Sequence, residues 1–391
     1  MKKDYVFITN GNKPSNETYA SREDITLGNF VIPPIETALS LDYECYVSLN
    51  RKYATEIKCK YPVHFYDAHI YRNIFDFKEI RKARKNLDDV VKNINCQCIH
   101  CNTPIGGLVG RLVGKKNNIN KIIYTAHGFH FYKGAPLFNN TILKFIERRL
   151  ARSTDAIITM NEEDYEAAKK FKLKSGGKVY KVHGVGITLK DFENISVYRD
   201  EKRQELGLKQ DDIALVSIGD LIKRKNYKTA IKAIKECNNS HAHYFICGKG
   251  PELEKLKALA KRLDIEKQIH FLGFRNDIKE ILASCDIFLF TTLQEGLPRS
   301  LMEAMASGLP CVASKVRGNV DLIEDGNNGF LCNPKNSKSF AKSINKLINN
   351  VVLRNKMSAS NLEKIKEYDV SVVKEEMSKI YNEVLLSKEH L

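Results

Sequence analysis

The run from Asp286 to Ser314, DIFLFTTLQEGLPRSLMEAMASGLPCVAS, packs two strands, a loop and a helix into one short span. Its apolar stretch IFLF leads to Thr291 and Thr292 and reads as a strand buried on both faces. The loop Glu295-Gly296-Leu297-Pro298 holds the glycine and proline that allow a tight turn. A helix is expected from about Arg299 to Ser307, closed by Gly308-Leu309-Pro310, with PCVAS as the next strand. Strand, helix, strand with short connections is the signature of a right-handed parallel crossover.

The same alternation extends outward in both directions. Strands are expected at YVFI, ECYVSL, INCQCIH, KIIYTA, AIITM and KVYKVHGV in the first half, and at IALVSIG, HYFICG, QIHFLG, IFLFTT, PCVAS and GFLC in the second. Helical patterns lie between them, among them FVIPPIETALSL, KEIRKARKNLDDVVKNI, YKTAIKAIKECNN and PELEKLKALAKRL. The expected architecture is α/β, with two doubly wound parallel-sheet domains and ligands bound at the carboxyl ends of the strands, in a cleft. Domain boundaries are expected at 1–190 and 191–370, with 371–391 as a C-terminal helix packed on the second domain. The polar stretch TLKDFENISVYRDEKRQ, residues 188–204, reads as a linker.

A chain of 391 residues is too long for one ordinary core, which agrees with two domains. With 43% hydrophobic residues, 17 Tyr and 18 Phe, it is not the composition of a disordered protein. No apolar run approaches the about 20 residues of a membrane-spanning helix, and the apolar stretch near Met1 is too short for a signal peptide. A cytoplasmic location is expected, and the ten cysteines then read as reduced thiols. The cluster Cys96, Cys98, His100 and Cys101 lacks a second paired half elsewhere, so it reads as a buried strand rather than a metal site.

The net charge of +16 points toward anionic partners. It is unevenly spread: residues 1–50 have a net charge of −3 and residues 101–150 a net charge of +7. Two apolar stretches in the basic segment, IGGLVGRLVGKK and LFNNTILKFIERRLAR, each read equally as a membrane-surface helix or as a solvated helix face. Zinc-finger spacing, an RNP motif and an Arg-rich arm are all missing from the sequence, so no nucleic-acid partner is expected.

The chemistry is concentrated after the strand IFLF. A helix N-terminus offers unpaired N–H groups and a positive dipole end to phosphate. Glu295 in the loop and Glu303 one turn into the helix can each accept hydroxyls. Either glutamate alone could be an ordinary surface charge. Together with the EGLP turn and the small-residue helix, they suit a nucleotide-sugar with its hexose, diphosphate and ribose.

This segment resembles the E-x7-E motif of family-four retaining glycosyltransferases, which have the GT-B architecture of two facing Rossmann-like domains. VSIGDLIKRKNYKTAIKAI, ICGKGPELEKLKALAKRLDIEKQIHFLGF and DLIEDGNNGFLC resemble further parts of that family's nucleotide domain. The resemblance implies that Glu303 binds the ribose diol and that Glu295 faces the donor hexose. Backbone N–H groups of Gly296, Leu297, Ser300 and Leu301 would meet sugar and phosphate, Lys225 the diphosphate, and the loop of Phe274 and Arg275 the base. The family often has arginine where this chain has Asp220; either Lys225 suffices alone or Arg224 or Lys223 substitutes.

In the first half, IHCNTPIGGLVGRL and TAHGFHFYKGAP resemble a subgroup that builds bacterial surface polysaccharides. His127 matches the family's active-site histidine, with His130 similarly placed and His100 a candidate for the acceptor side. His183 reads as structural. Gly28 is the plausible counterpart of the family's first-domain phosphate-binding glycine.

The resemblance implies a retaining transferase for a hexose or N-acetylhexosamine, with a UDP-sugar donor. The acceptor would be lipid-linked or a saccharide, in capsule or exopolysaccharide synthesis, and the basic segment would meet an anionic inner-membrane surface. No metal or other cofactor is expected. The competing readings are a nucleotide-sugar epimerase of the same fold and a non-catalytic basic protein that binds nucleic acid or membrane.

Overall fold

The computed structural model describes residues 2–9, 27, 31–49, 59–71, 73 and 75–386. The chain divides into two compact units, one formed by Met1–Gly186 with Ser371–Leu391 and the other by Ile187–Val370.

The first unit is built on seven parallel strands: β1 (Lys3–Ile8), β2 (Tyr43–Leu49), β3 (Val63–Asp67), β4 (Cys96–Asn102), β5 (Lys121–Ala126), β6 (Ala156–Thr159) and β7 (Lys178–Lys181). Their order is β3-β2-β1-β4-β5-β6-β7. β3, in VHFYD, escaped the sequence reading because it is a half-buried edge strand with little apolar periodicity.

The second unit has six parallel strands: β8 (Ile213–Ile218), β9 (Ala242–Cys247), β10 (Ile269–Gly273), β11 (Ile287–Phe290), β12 (Cys311–Ser314) and β13 (Gly329–Cys332). The order β10-β9-β8-β11-β12-β13 reverses direction between β8 and β11, the switch point of a doubly wound sheet. Leu215, Ile246, Leu289 and Val312 enter the core on one face, and Val216, Phe245, Phe288 and Cys311 on the other. Helices cover both faces, which is why these strands are apolar throughout rather than alternating.

Three expectations are corrected. Residues 188–204 are no free linker: they form short turns and the helix Arg199–Glu205, which belongs to the second unit. Arg199 anchors this stretch by donating to the Ala283 and Cys285 carbonyls at 3.0 Å and to Asp286 at 2.6 Å.

The C-terminal helix Val370–Leu386 packs on the first unit, not the second. Its Tyr381 hydroxyl meets the Tyr5 hydroxyl at 2.7 Å and His100 Nδ1 at 2.5 Å, at the heart of the first sheet. Glu376 on the same helix takes both the backbone N–H and the ring of His183, the structural role read for that histidine.

The helix Pro104–Lys116 is not a surface helix. Gly107, Gly110 and Gly114 lie against the sheet, where a Cβ at Gly107 would fall 2.5 Å from Tyr124 and one at Gly114 2.6 Å from Ile122. Arg111 on this helix is fully buried, stacked 3.9 Å from the Tyr124 ring centre and paired with Glu147 at 2.8 Å. Glycines at that spacing let the helix sink onto the strands, so its hydrophobicity serves packing.

Candidate functional site

In the second unit the loops after β8 and β11 are tied together. Asn226, in a left-handed conformation, donates its amide to the Thr291 carbonyl at 2.9 Å and to the Pro334 carbonyl at 2.8 Å. The Leu293 N–H donates to the Arg224 carbonyl at 2.8 Å. These bonds set Arg224 and Lys225 beside the β11 loop at the carboxyl end of the sheet.

Both cations converge there on one carboxylate oxygen. Lys225 Nζ lies 2.9 Å and Arg224 Nη1 2.8 Å from Glu295 Oε1, and the Thr292 hydroxyl donates to the same atom at 2.7 Å. Lys225 Nζ also sits 4.7 Å from the centre of the Phe290 ring. Glu295 is buried, and its carbonyl accepts from the Nε of buried Arg317 at 3.0 Å. Gly318, at φ +79°, packs so close to Gly296 that a Cβ would overlap the Gly296 carbonyl oxygen.

The helix Arg299–Ala306 follows, and no described side chain caps its N-terminus. Ser300 sits in its first turn. Leu301 is buried, and its N–H already donates to the Pro298 carbonyl at 3.2 Å, a tight first-turn bond. Glu303 accepts from Arg299 Nε at 2.9 Å. Burial pushes its carboxyl above the ordinary 4.5, and the Arg299 charge opposes that rise.

Gly296 and Leu297 lie in the loop between Glu295 and this helix. Phe274, at the end of β10, is exposed. Arg275 beside it is engaged by Asp277 and Glu205, which hold its guanidinium more basic than usual. Asp220 is exposed after β8, whereas Arg224 is the residue that joins Lys225 on Glu295.

In the first unit His127 follows β5 and is half-buried. Its Nε2 lies 3.1 Å from the Asn102 side-chain oxygen at the end of β4. Burial lowers its pKa from 6.5 to about 4, so the ring is neutral at neutral pH. A small recess of about 20 Å³ is lined by His127, Asn102, Thr125, Pro33, Gly184 and, from the C-terminal helix, Met377.

His100 does not line any acceptor surface. It is fully buried, held by Tyr5, Tyr381 and Thr125, and its pKa is lowered by burial to about 3. Cys96, Cys98 and Cys101 are buried with it in β4. His130 is exposed. Gly28 falls outside the described residues.

The sequence reading thus named Glu295, Lys225 and Arg224, which the fold brings together, and missed their supports Thr292 and Arg317 as well as Asn102, the partner of His127. Thr292 and Asn102 end apolar strands, a position that could have flagged them. Arg317 is distant in sequence and had no local signal.

Known proteins are similar to this chain along both units. Residues 198–364 match the family model of the glycosyl transferases group 1, and residues 27–161 that of the glycosyl transferase 4-like proteins. EpsD of Bacillus subtilis (strain 168), named for glycosyl transfer, is 32% identical over 359 residues, covering 90% of this chain and 92% of its own. The UDP-Gal:alpha-D-GlcNAc-diphosphoundecaprenol alpha-1,3-galactosyltransferase of Escherichia coli is 29% identical over 287 residues, 72% of this chain and 74% of its own. In fold, HepE of Anabaena, solved with UDP and glucose, superposes with a TM-score of 0.74 at 18% identity, covering 98% of this chain and 100% of that one. With two Rossmann-like parallel sheets of the GT-B kind and these matches along both units, the chain belongs to the group 1 glycosyltransferases.

Proposed function

We propose that the protein is a retaining glycosyltransferase that moves a hexose or N-acetylhexosamine from a UDP-sugar to a lipid-linked or saccharide acceptor in capsule or exopolysaccharide synthesis. The observation that carries this reading is the convergence of Lys225 and Arg224 on Glu295, one helix start away from Glu303. Two cations are pre-positioned here for a diphosphate and held by a carboxylate until that anion takes its place. The UDP donor and lipid-linked acceptor are supported by the Escherichia coli relative, whose name contains both. UDP in the HepE structure supports the same donor class.

In this reading the bond from the anomeric carbon to the diphosphate oxygen breaks as the acceptor oxygen bonds to that carbon from the same face; the departing diphosphate gains negative charge, and its freed oxygen takes the proton that the acceptor hydroxyl loses. Lys225 and Arg224 stabilise that charge where it develops. Backbone N–H groups at Gly296, Leu297 and Ser300 assist, with a lesser part for Leu301. Glu303 accepts the ribose hydroxyls, and its partial burial strengthens those bonds. The Phe274–Arg275 loop meets the base through its backbone, since the Arg275 side chain is already engaged. The neutral ring of His127 hydrogen-bonds the donor sugar without adding a competing positive charge, and Asn102 orients it.

Thermal melting with UDP, GDP and ADP tests the donor class, because a ligand bound only by the folded state raises the melting temperature. UDP is expected to raise it and Glu303→Ala to abolish the rise. No shift with any nucleotide would refute the reading. An assay that finds an isomerised nucleotide-sugar instead of free UDP would favour the epimerase.

A further inference from the structure

The first unit holds a buried polar chain that the proposed mechanism does not use. It links Tyr5 in β1, His100 in β4 and Thr125 in β5, with Tyr381 entering from the C-terminal helix. Tyr5, His100 and Tyr381 are fully buried, and Thr125 is 4% exposed. His100 Nδ1 forms a closed triangle with two hydroxyls, Tyr5 at 2.8 Å and Tyr381 at 2.5 Å, which lie 2.7 Å from each other. On the other side of the ring, Nε2 meets the Thr125 hydroxyl at 2.7 Å.

Counting protons fixes the direction of these bonds. Burial pushes both tyrosines well above the ordinary 10 and lowers His100 to about 3. The hydroxyls therefore keep their protons, and the ring is neutral with a single N–H. With Nδ1 bare, one tyrosine donates to the other, which donates to Nδ1, and each proton has an acceptor. A proton on Nδ1 would leave one buried hydroxyl proton facing an N–H, since no further described group bonds either hydroxyl. An unmet buried donor is costly, so the N–H sits on Nε2 and donates to Thr125 Oγ1. Thr125 accepts there and must send its own proton elsewhere. Among the described residues no group takes that proton.

The recess beside His127 supplies the direction. Thr125 lines it with His127 and Asn102, and much of the remaining wall is apolar, including Met160, Val182 and Met377. Its volume of about 20 Å³ admits one water-sized group, such as a sugar hydroxyl, whereas an acetamido group or a carboxylate is too large. We infer that Thr125 reads a hydroxyl of the donor sugar, its Oγ1–H donating to that sugar oxygen in the recess. His100 and the two tyrosines act as positioning residues that hold the Thr125 proton toward the sugar. The inference deepens the proposed function and rests on it, because that reading sets the donor sugar against His127. It also narrows the substrate: the sugar carbon at this recess carries a free hydroxyl, and any acetamido group lies at another carbon.

Calorimetric titration of the full chain with UDP, UDP-glucose, UDP-galactose, UDP-N-acetylglucosamine and UDP-N-acetylgalactosamine identifies the UDP-sugar bound most tightly. Thr125→Val keeps the shape and removes the hydroxyl. It should leave the Kd for UDP unchanged and weaken that UDP-sugar about fivefold, the contribution of one neutral hydrogen bond. Thr125→Ser should restore it. Thr125→Val also takes the acceptor away from His100, so a second measurement uses the unaltered chain. With histidine labelled in nitrogen-15 and the His100 signals assigned through His100→Gln, the shifts should report a proton on Nε2, and the UDP-sugar but not UDP should move the Nε2 signal. Equal loss for UDP and UDP-sugar, no loss for either, a proton on Nδ1, or an Nε2 signal that UDP and UDP-sugar move alike would overturn the inference and leave the glycosyltransferase reading standing. A wild-type chain that binds no UDP would instead refute that reading, and the inference with it.

Discussion

Glu295 holds the two cations that the proposed function assigns to a diphosphate, and replacing it with glutamine separates charge from shape. In Glu295→Gln the side-chain oxygen can still accept from Lys225 at 2.9 Å, Arg224 at 2.8 Å and Thr292 at 2.7 Å, but as a neutral acceptor. A hydrogen bond to a charged group contributes about 1.5–3 kcal/mol and a neutral one about 1. The Thr292 bond becomes neutral, and the Lys225 and Arg224 bonds keep a charged donor but lose the opposite charge, the Arg224 share being discounted because that side chain is 41% exposed. The expected loss is about 2–3 kcal/mol, or a melting temperature lower by about 4–12 °C for a unit of this size. The same substitution removes the anion that competes with a diphosphate. Two unpaired cations should then bind UDP more tightly, by about tenfold for about 1.4 kcal/mol of competition relieved. Thermal melting with and without UDP reads both effects: the apo midpoint falls while the UDP-induced rise grows. Sugar transfer should fall as well, because Glu295 is expected to contact the donor sugar. A lower midpoint with an unchanged or smaller UDP shift would refute the reasoning, because Lys225 and Arg224 would then serve only the fold.

Further outcomes test other parts of the molecule. Gly318→Ala puts a side chain in the left-handed region and against the Gly296 carbonyl, so it should cost at least about 2 kcal/mol in melting experiments and weaken the UDP shift through the displaced loop. His100 is held neutral by burial at a pKa of about 3, so below about pH 6.5 protons bind the unfolded chain in preference. Its contribution to stability is complete above pH 6.5 and should be lost progressively toward pH 3, about 2 kcal/mol of it between pH 7 and pH 5. Denaturant titrations at the two pH values, compared with His100→Gln, check this; identical pH slopes would exclude it. Glu147→Ala leaves the buried Arg111 unpaired and should cost about 3–5 kcal/mol, whereas Arg111→Met with Glu147→Leu should be close to neutral.

Local patterns carried far in this chain because its two parallel sheets are covered on both faces. Strands such as IALVSI, IFLF and KIIYTA must then be continuously apolar, and each is followed by a helix with its own period. The loop–helix unit holding Glu295 and Glu303 was legible for the same reason, since its turn residues and helix are contiguous. β3 was not, because an edge strand needs few apolar residues.

What required the tertiary structure is whatever joins residues far apart in the chain. Residue order alone could establish neither the convergence of Lys225, Arg224 and Glu295 nor the support of Arg317 beneath them. The C-terminal helix has an apolar face that any sheet could cover, and it was the fit of Tyr381 to Tyr5 and His100 that assigned it to the first unit. The two basic apolar stretches look alike as sequences. Glycines at Gly107, Gly110 and Gly114 let one sink onto the sheet, while Phe138, Ile142 and Phe145 leave the other facing outward. Periodicity states which residues share a face, and only packing decides what that face meets.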